Sequence, residues 1–365
     1  MLDLCPQKIV VFLPNWVGDV VMATPTLRTL RRQMPKARIT YFGRPAALDV
    51  LGGTDWADDM LVAKPKAKSR TIGLVQLSGA LRRGGFDVAI LLTNSFRTAL
   101  LVRLAGIKRI VGYDRDARGM FLTDKLPPPR DDSGQLLVVS AIDYYADLAA
   151  ILEVAVESRR MWLPVTTGDE AAADEFLASA GVDGAGPVVM LNPGASFGSS
   201  KMWGQRQFAR AGDMLIERRR AAIIINASPA ERRIACAVAD EMRNKPVINF
   251  GERDNTLGLL KSLLKRTELL ITNDTGARHI GAAMGAAVVT VFGSTDPQWA
   301  RIDYSRERIV KVDVPCGPCR QKVCSQPPGS VYHQCMEKIT PQMVVHAAEE
   351  LLDEPAERAE GVVRT

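Results

Sequence analysis

The chain has 365 residues, of which 47% are apolar and 24% charged, and its mean hydropathy is close to zero. That length accommodates two domains with separate cores, and that balance is the composition of an ordinary globular protein, not of a disordered, collagenous or membrane-embedded one. The net charge of +6 points only weakly to an anionic partner, because the basic residues are scattered apart from AKPKAKSR at 63–70; without interleaved aromatics or a recognisable module, no nucleic-acid partner is expected.

In chain order, short β-branched runs alternate with amphipathic stretches. Strands are predicted at 8–13, 37–42, 87–92 and 109–113, with helices near 25–34, 72–83 and 96–104. A long apolar region, QLLVVSAIDYYADLAAILEVAV (135–156), carries Asp143, Asp147 and Glu153. It reads as a buried or amphipathic helix, since a membrane span needs about 18 residues nearly free of charge. Further strands are predicted at 187–192, 221–226, 246–250, 268–272 and 287–292, with helices at about 205–219, 229–243, 256–265 and 275–284. This alternation predicts an α/β protein with parallel sheets and right-handed crossovers. The Pro/Gly/Thr cluster LPVTTGDE at 163–170 reads as an interdomain linker. It divides the chain into domains at 1–168 and 169–340, followed by a C-terminal helix and tail at 341–365. Asp3 interrupts the start and no cleavage-type signal follows, so a cytoplasmic location is expected.

Ligands of open parallel sheets bind beyond the carboxyl ends of the strands, and the informative residues follow strands here. The first turn, NWVGDVV, has one glycine and a carboxylate, Asp19, where a phosphate-binding turn would have several glycines and no acid. Asp19 is either a helix cap or a residue placed for chemistry; Thr24-Pro25 offers a second helix start that would release it from capping. In TNDTGARHIGAAMG (272–285), a strand delivers Asn273, Asp274, Thr275 and Gly276 to a helix N-terminus, the place where a dipole and free N–H groups favour an anion. His279 lies one turn further along. The lone Asp-Thr-Gly is not an aspartic-protease motif, which needs two carboxylates sharing a proton. In LNPGASFGSSKMW (191–203), a small-residue loop with Gly194 and Ser196 ends in Lys201, a point charge suited to a diphosphate although no Walker sequence is present. Glu231, after another strand, could accept hydrogen bonds from a ribose or merely cap the next helix. Asp114 and Asp116 form an Asp-x-Asp pair of the kind that can hold a divalent cation, a pattern also common by chance.

These stretches, together with NSFRTALLVRLAGI (94–107) and GYDRDARGMFLT (112–123), resemble the heptosyltransferases of lipopolysaccharide core assembly over nearly the whole chain, and NWVGDVVMATPTLRTL (15–30) and the 94–107 and 112–123 stretches look most like the heptosyltransferase II branch. The resemblance implies the GT-B architecture of two facing Rossmann-like domains, the N-terminal one for the acceptor and the C-terminal one for the donor. It implies ADP-heptose as donor, heptosylated Kdo–lipid A as acceptor, and inverting transfer without a required cofactor. On that basis Lys201, Asp274, Thr275, Gly276 and His279, with Gly194, Ser196 and Glu231, form the donor site, and Asp19 is the general base. Arg97, Arg115, Arg118 and Lys64 are acceptor candidates, and the enzyme is expected to work peripherally at the cytoplasmic face of the inner membrane. A transferase for another nucleotide sugar, a nucleotide-sugar epimerase and a non-catalytic binding protein are the alternatives. The resemblance does not demand Cys316, Cys319, Cys324 and Cys335, whose C-x2-C-x4-C-x10-C spacing suits a structural zinc, four reduced thiols or, less well in a reducing compartment, a disulfide.

Overall fold

A computed structural model describes residues 8–63 and 70–355. The chain separates into two compact units: residues up to Pro164 with Gln298–Ile302, and Val165–Pro297 with Asp303 onwards.

The first unit contains a six-stranded sheet of β1 (Lys8–Phe12), β2 (Arg38–Gly43), β3 (Asp59–Val62), β4 (Val88–Leu91), β5 (Arg109–Tyr113) and β6 (Asp124–Leu126). The spatial order is β3-β2-β1-β4-β5-β6. The second unit contains β7 (Val188–Asn192), β8 (Ala222–Ile225), β9 (Ile248–Asn249), β10 (Leu269–Asn273), β11 (Ala287–Phe292) and β12 (Glu307–Lys311), in the order β12-β11-β10-β7-β8-β9. All pairings are parallel. Counted from its own first strand, each sheet has the order 3-2-1-4-5-6 of a Rossmann fold. The chain reverses direction across the sheet between β1 and β4 in one unit and between β7 and β10 in the other. Those two points position the candidate sites.

Central strands such as KIVVF, VVMLN and AVVTVF are buried almost throughout, as parallel strands covered by helices on both faces must be. Phe12 and Phe42 pack with ring centroids 4.5 Å apart in the first core. In the second, Trp203 is fully buried against Phe208 and donates its indole N–H to the Ile339 carbonyl at 2.9 Å.

Several elements differ from expectation. Strands β3, β6 and β12 lie at sheet edges with alternating or partial exposure, so they carry no continuous apolar run to announce them. The apolar region 135–156 forms a helix only over Ala141–Ala150. The cluster at 163–170, within which the boundary between the units falls, also holds a helix start: Thr166 accepts from the Asp169 N–H at 3.1 Å and caps Thr167–Ser179. The last helix, Pro341–Asp353, belongs to the second unit, where Arg219 grips Asp353 with bonds of 2.6 and 2.7 Å.

Candidate active site

In the second unit the loops after β7 and β10 are joined by one side chain. Asn273, fully buried at the end of β10, donates its amide to the carbonyls of Pro193 (2.8 Å) and Gly194 (3.2 Å) and accepts from the Trp203 N–H at 2.9 Å. Lys201 is thereby brought to Asp274. Its ammonium bonds the Asp274 carboxylate at 2.5 Å and carbonyl at 3.1 Å, and lies 5.1 Å from the centre of the Phe197 ring. Thr295 donates to the same carboxylate at 2.8 Å, and Arg278 stands 3.8 Å away. Burial alone would raise the Asp274 carboxyl, but Lys201 and Arg278 outweigh it and hold the group below the usual carboxylate range. The pair is ionic and nearly out of solvent. Arg278 is fully buried and spends its guanidinium on Glu307 at 2.6 and 2.8 Å.

Thr275 opens the helix Gly276–Met284 in extended conformation without capping it by its side chain. Its hydroxyl instead accepts from Asn192 at 3.2 Å and lies 3.3 Å from the Thr272 hydroxyl. The helix therefore begins without a side-chain cap at Thr275, and a helix N-terminus is a place where backbone N–H groups and the dipole favour an anion. Asn192 belongs to a chain of amides, receiving from Asn226 at 2.7 Å, which receives from Asn255 at 2.6 Å. Gly194 faces Glu231 so closely that a Cβ there would stand 2.4 Å from a carboxylate oxygen. The Ser228 hydroxyl holds that carboxylate at 2.5 Å. Ser196 is exposed on the same loop.

His279 lies one turn into the same helix. It is buried, its Nδ1 has no partner among the described residues, and burial followed by the Arg278 charge pushes its pKa down to about 3. The ring is thus a neutral imidazole, able to offer a hydrogen bond and not a charge.

In the first unit Asp19 follows β1 and is half-buried in the first turn of the helix Val17–Met22, with Trp16 as a non-capping N-cap. A separate helix, Thr24–Gln33, starts with Pro25 in its first turn. The start at Thr24-Pro25 is thus present, and a short helix precedes it: Asp19 lies in that helix's first turn without being its N-cap, where the dipole favours its charge. Its charge reaches Tyr145, whose hydroxyl is pushed up by burial first and by Asp19 second.

Arg97 is exposed at the start of the helix Phe96–Leu104, and Arg115 is half-buried after β5. Arg118 does not belong with them. It is fully buried and donates to the carbonyls of Tyr113 (2.8 Å) and Thr93 and to Asn94 Oδ1 (3.0 Å), so it builds the loop from inside. Asp114 is likewise structural: it pairs with Lys125 at 3.4 Å and fills the space a Cβ of Gly119 would take. Lys64 lies outside the described residues. No group of three or more His, Cys, Asp or Glu among the described residues is arranged about a metal ion.

Sequence alone marks no distinct role for Asn192, Asn226, Asn273 and Thr295, although Asn273 stands in the turn after its strand. Three of them had a signal: the apolar runs VVMLN, AAIIIN and ELLITN each end in Asn, a residue that leaves a strand readily and carries both donor and acceptor.

The glycosyltransferase family 9 (heptosyltransferase) model matches residues 74–329. The chain belongs to glycosyltransferase family 9. Among family members, lipooligosaccharide heptosyltransferase 2 of Haemophilus influenzae is 24% identical over 360 residues, covering 95% of this chain and 99% of that one. Lipopolysaccharide heptosyltransferase 2 of Escherichia coli K12 is 25% identical over 355 residues, with 95% and 99% covered. Among solved structures, the family 9 glycosyltransferase of Veillonella parvula superposes with a TM-score of 0.78 at 23% identity, covering 95% and 97%. E. coli ADP-heptose heptosyltransferase II gives 0.73 at 22%, covering 94% and 98%. The two Rossmann-like units are the fold of the GT-B heptosyltransferases. This family 9 chain is a glycosyltransferase, and the epimerase and pure-binder readings fall away.

Proposed function

We propose that the chain transfers heptose from ADP-heptose to heptosylated Kdo–lipid A of the lipopolysaccharide inner core, with inversion at the anomeric carbon. The observation that carries the donor half is the Lys201–Asp274 pair at the N-terminus of the helix Gly276–Met284. Two donors of the Lys201 ammonium are committed to Asp274, and the third is available to a phosphate oxygen. With the helix N–H groups and the Thr275 hydroxyl, it would bind the diphosphate and stabilise the charge that grows on departing ADP. Glu231 beside Gly194 is suited to the ribose hydroxyls.

In the first unit, Asp19 is the general base of this reading. The acceptor hydroxyl oxygen forms its bond to the anomeric carbon as the bond to the diphosphate oxygen breaks; the hydroxyl proton passes to the Asp19 carboxylate. Arg97 and Arg115 are candidates for the anionic groups of the acceptor. A lipid-linked acceptor would bring the enzyme to the cytoplasmic face of the inner membrane; no helix among the described residues is long and apolar enough to cross a membrane. The relatives named heptosyltransferase 2 support this reading over another nucleotide sugar. A binding panel of ADP, UDP and GDP tests the donor half: ADP should bind tightest, and equal binding of all three would reject it.

A further inference from the structure

Between β12 and the short helix Gln334–Glu337, residues 312–333 contain no strand or α-helix. A stretch of that length in a compact unit needs something other than its own backbone ladder to fix it. Its outer contacts fall on the turn Ser199–Lys201. The Ser200 N–H donates to the Lys322 carbonyl at 3.1 Å and the Ser200 hydroxyl to Gln321, while the His333 ring nitrogen meets the Ser200 carbonyl at 3.0 Å. The Arg320 N–H donates to Ser294 at 2.7 Å, and a Cβ at Gly198 would stand 2.2 Å from the Lys322 carbonyl. The loop is thus the backing of the turn that presents Lys201.

Cys316, Cys319 and Cys324 of the loop and Cys335 of the short helix that follows it line a single cavity of about 20 Å³ whose wall contains no Asp, Glu, Lys or Arg. That space suits one small occupant. The His333 N–H already donates to the Cys324 sulfur at 3.3 Å, the kind of outer bond that steadies a thiolate. We propose that Cys316, Cys319, Cys324 and Cys335 are the four ligands of one structural zinc ion that fixes this loop against the Ser199–Lys201 turn. Four sulfur ligands close the tetrahedron and leave no position for substrate, which makes the centre structural and not catalytic. As free thiols the sulfurs are not gathered about one point; a shared divalent cation supplies the attraction, releasing the thiol protons to solvent as it binds.

The test uses the full chain, purified without a histidine tag, under reductant and anaerobically, from zinc-supplemented cells. Elemental analysis should find about one zinc per chain, and cobalt substitution should give a sulfur-to-metal charge-transfer band. Cys319→Ser should lose both. Metal-free protein with four thiols open to a thiol reagent, a disulfide found by mass spectrometry, or iron in place of zinc would each overturn the assignment. Stripping zinc should also weaken ADP binding. That last readout alone rests on the proposed donor site, so zinc content and ADP affinity can fail separately.

Discussion

At Lys201 most of the ammonium's capacity is spent on Asp274 before any ligand arrives. The pair keeps a cation fixed at low exposure, where a charge-assisted bond to phosphate gains most. Lys201→Ala should therefore weaken ADP binding by roughly 10- to 100-fold, the equivalent of about 1.5–3 kcal/mol for a lost charged hydrogen bond; calorimetric titration with ADP checks it, and an unchanged affinity removes Lys201 from the site. Asp19 is expected to behave in the opposite way. Asp19→Asn should leave ADP affinity near the parent value and lower turnover by at least about 100-fold, measured in steady state with donor and acceptor. Arg118 marks where charge alone misleads: it follows a loop rich in polar residues, and nothing local in its sequence reveals that its guanidinium turns inward to three backbone and side-chain acceptors. Arg118→Ala should lower the melting temperature and leave the acceptor KM unchanged if the protein is compared well below its transition; a raised KM alone would return Arg118 to the acceptor site.

Among the elements, the loops after β7 and β10 work as one because Asn273 ties them. Asn273→Ala would leave two carbonyls and the Trp203 N–H without their partner. At about 1–3 kcal/mol for each buried group left unsatisfied, it should lower the stability of the second unit measurably by denaturant unfolding, and a stability equal to the parent would show that the tie is dispensable. The elements that the sequence made plain are those buried on both faces, because a covered parallel strand must be apolar from end to end. The edge strands β3, β6 and β12 escaped for the converse reason, and Val17–Met22 escaped because its N-cap Trp16 bears no capping side chain. In the site, glycines, Thr275 and Lys201 stood out by type and position after strands. The ion pair did not, since its partners are brought together from loops 73 positions apart.

At the scale of the whole molecule, the same 3-2-1-4-5-6 sheet occurs twice, and the carboxylate and the cation that the proposed reaction needs follow the first strand of each. A molecule-wide consequence of the second site is its pH dependence. His279 titrates near 6.5 when unfolded and about 3 when folded, so below pH 6.5 the unfolded chain binds the extra proton. Its contribution to stability is present above that value and declines as pH falls towards 3, at up to about 1.4 kcal/mol per pH unit. Asp274 acts in the same direction but only from its ordinary value of 3.8 downward. Between pH 6 and 4 the stability of the parent should therefore fall more steeply than that of His279→Gln, as urea unfolding at several pH values would reveal; parallel slopes would contradict a neutral, buried imidazole. The central claim concerns the reaction itself. The most direct measurement is mass analysis of defined heptosyl-Kdo–lipid A after incubation with the enzyme and ADP-heptose: an increment of one heptose residue, with inverted linkage and one ADP released per product, is predicted, whereas unchanged acceptor under conditions where ADP binds would contradict it.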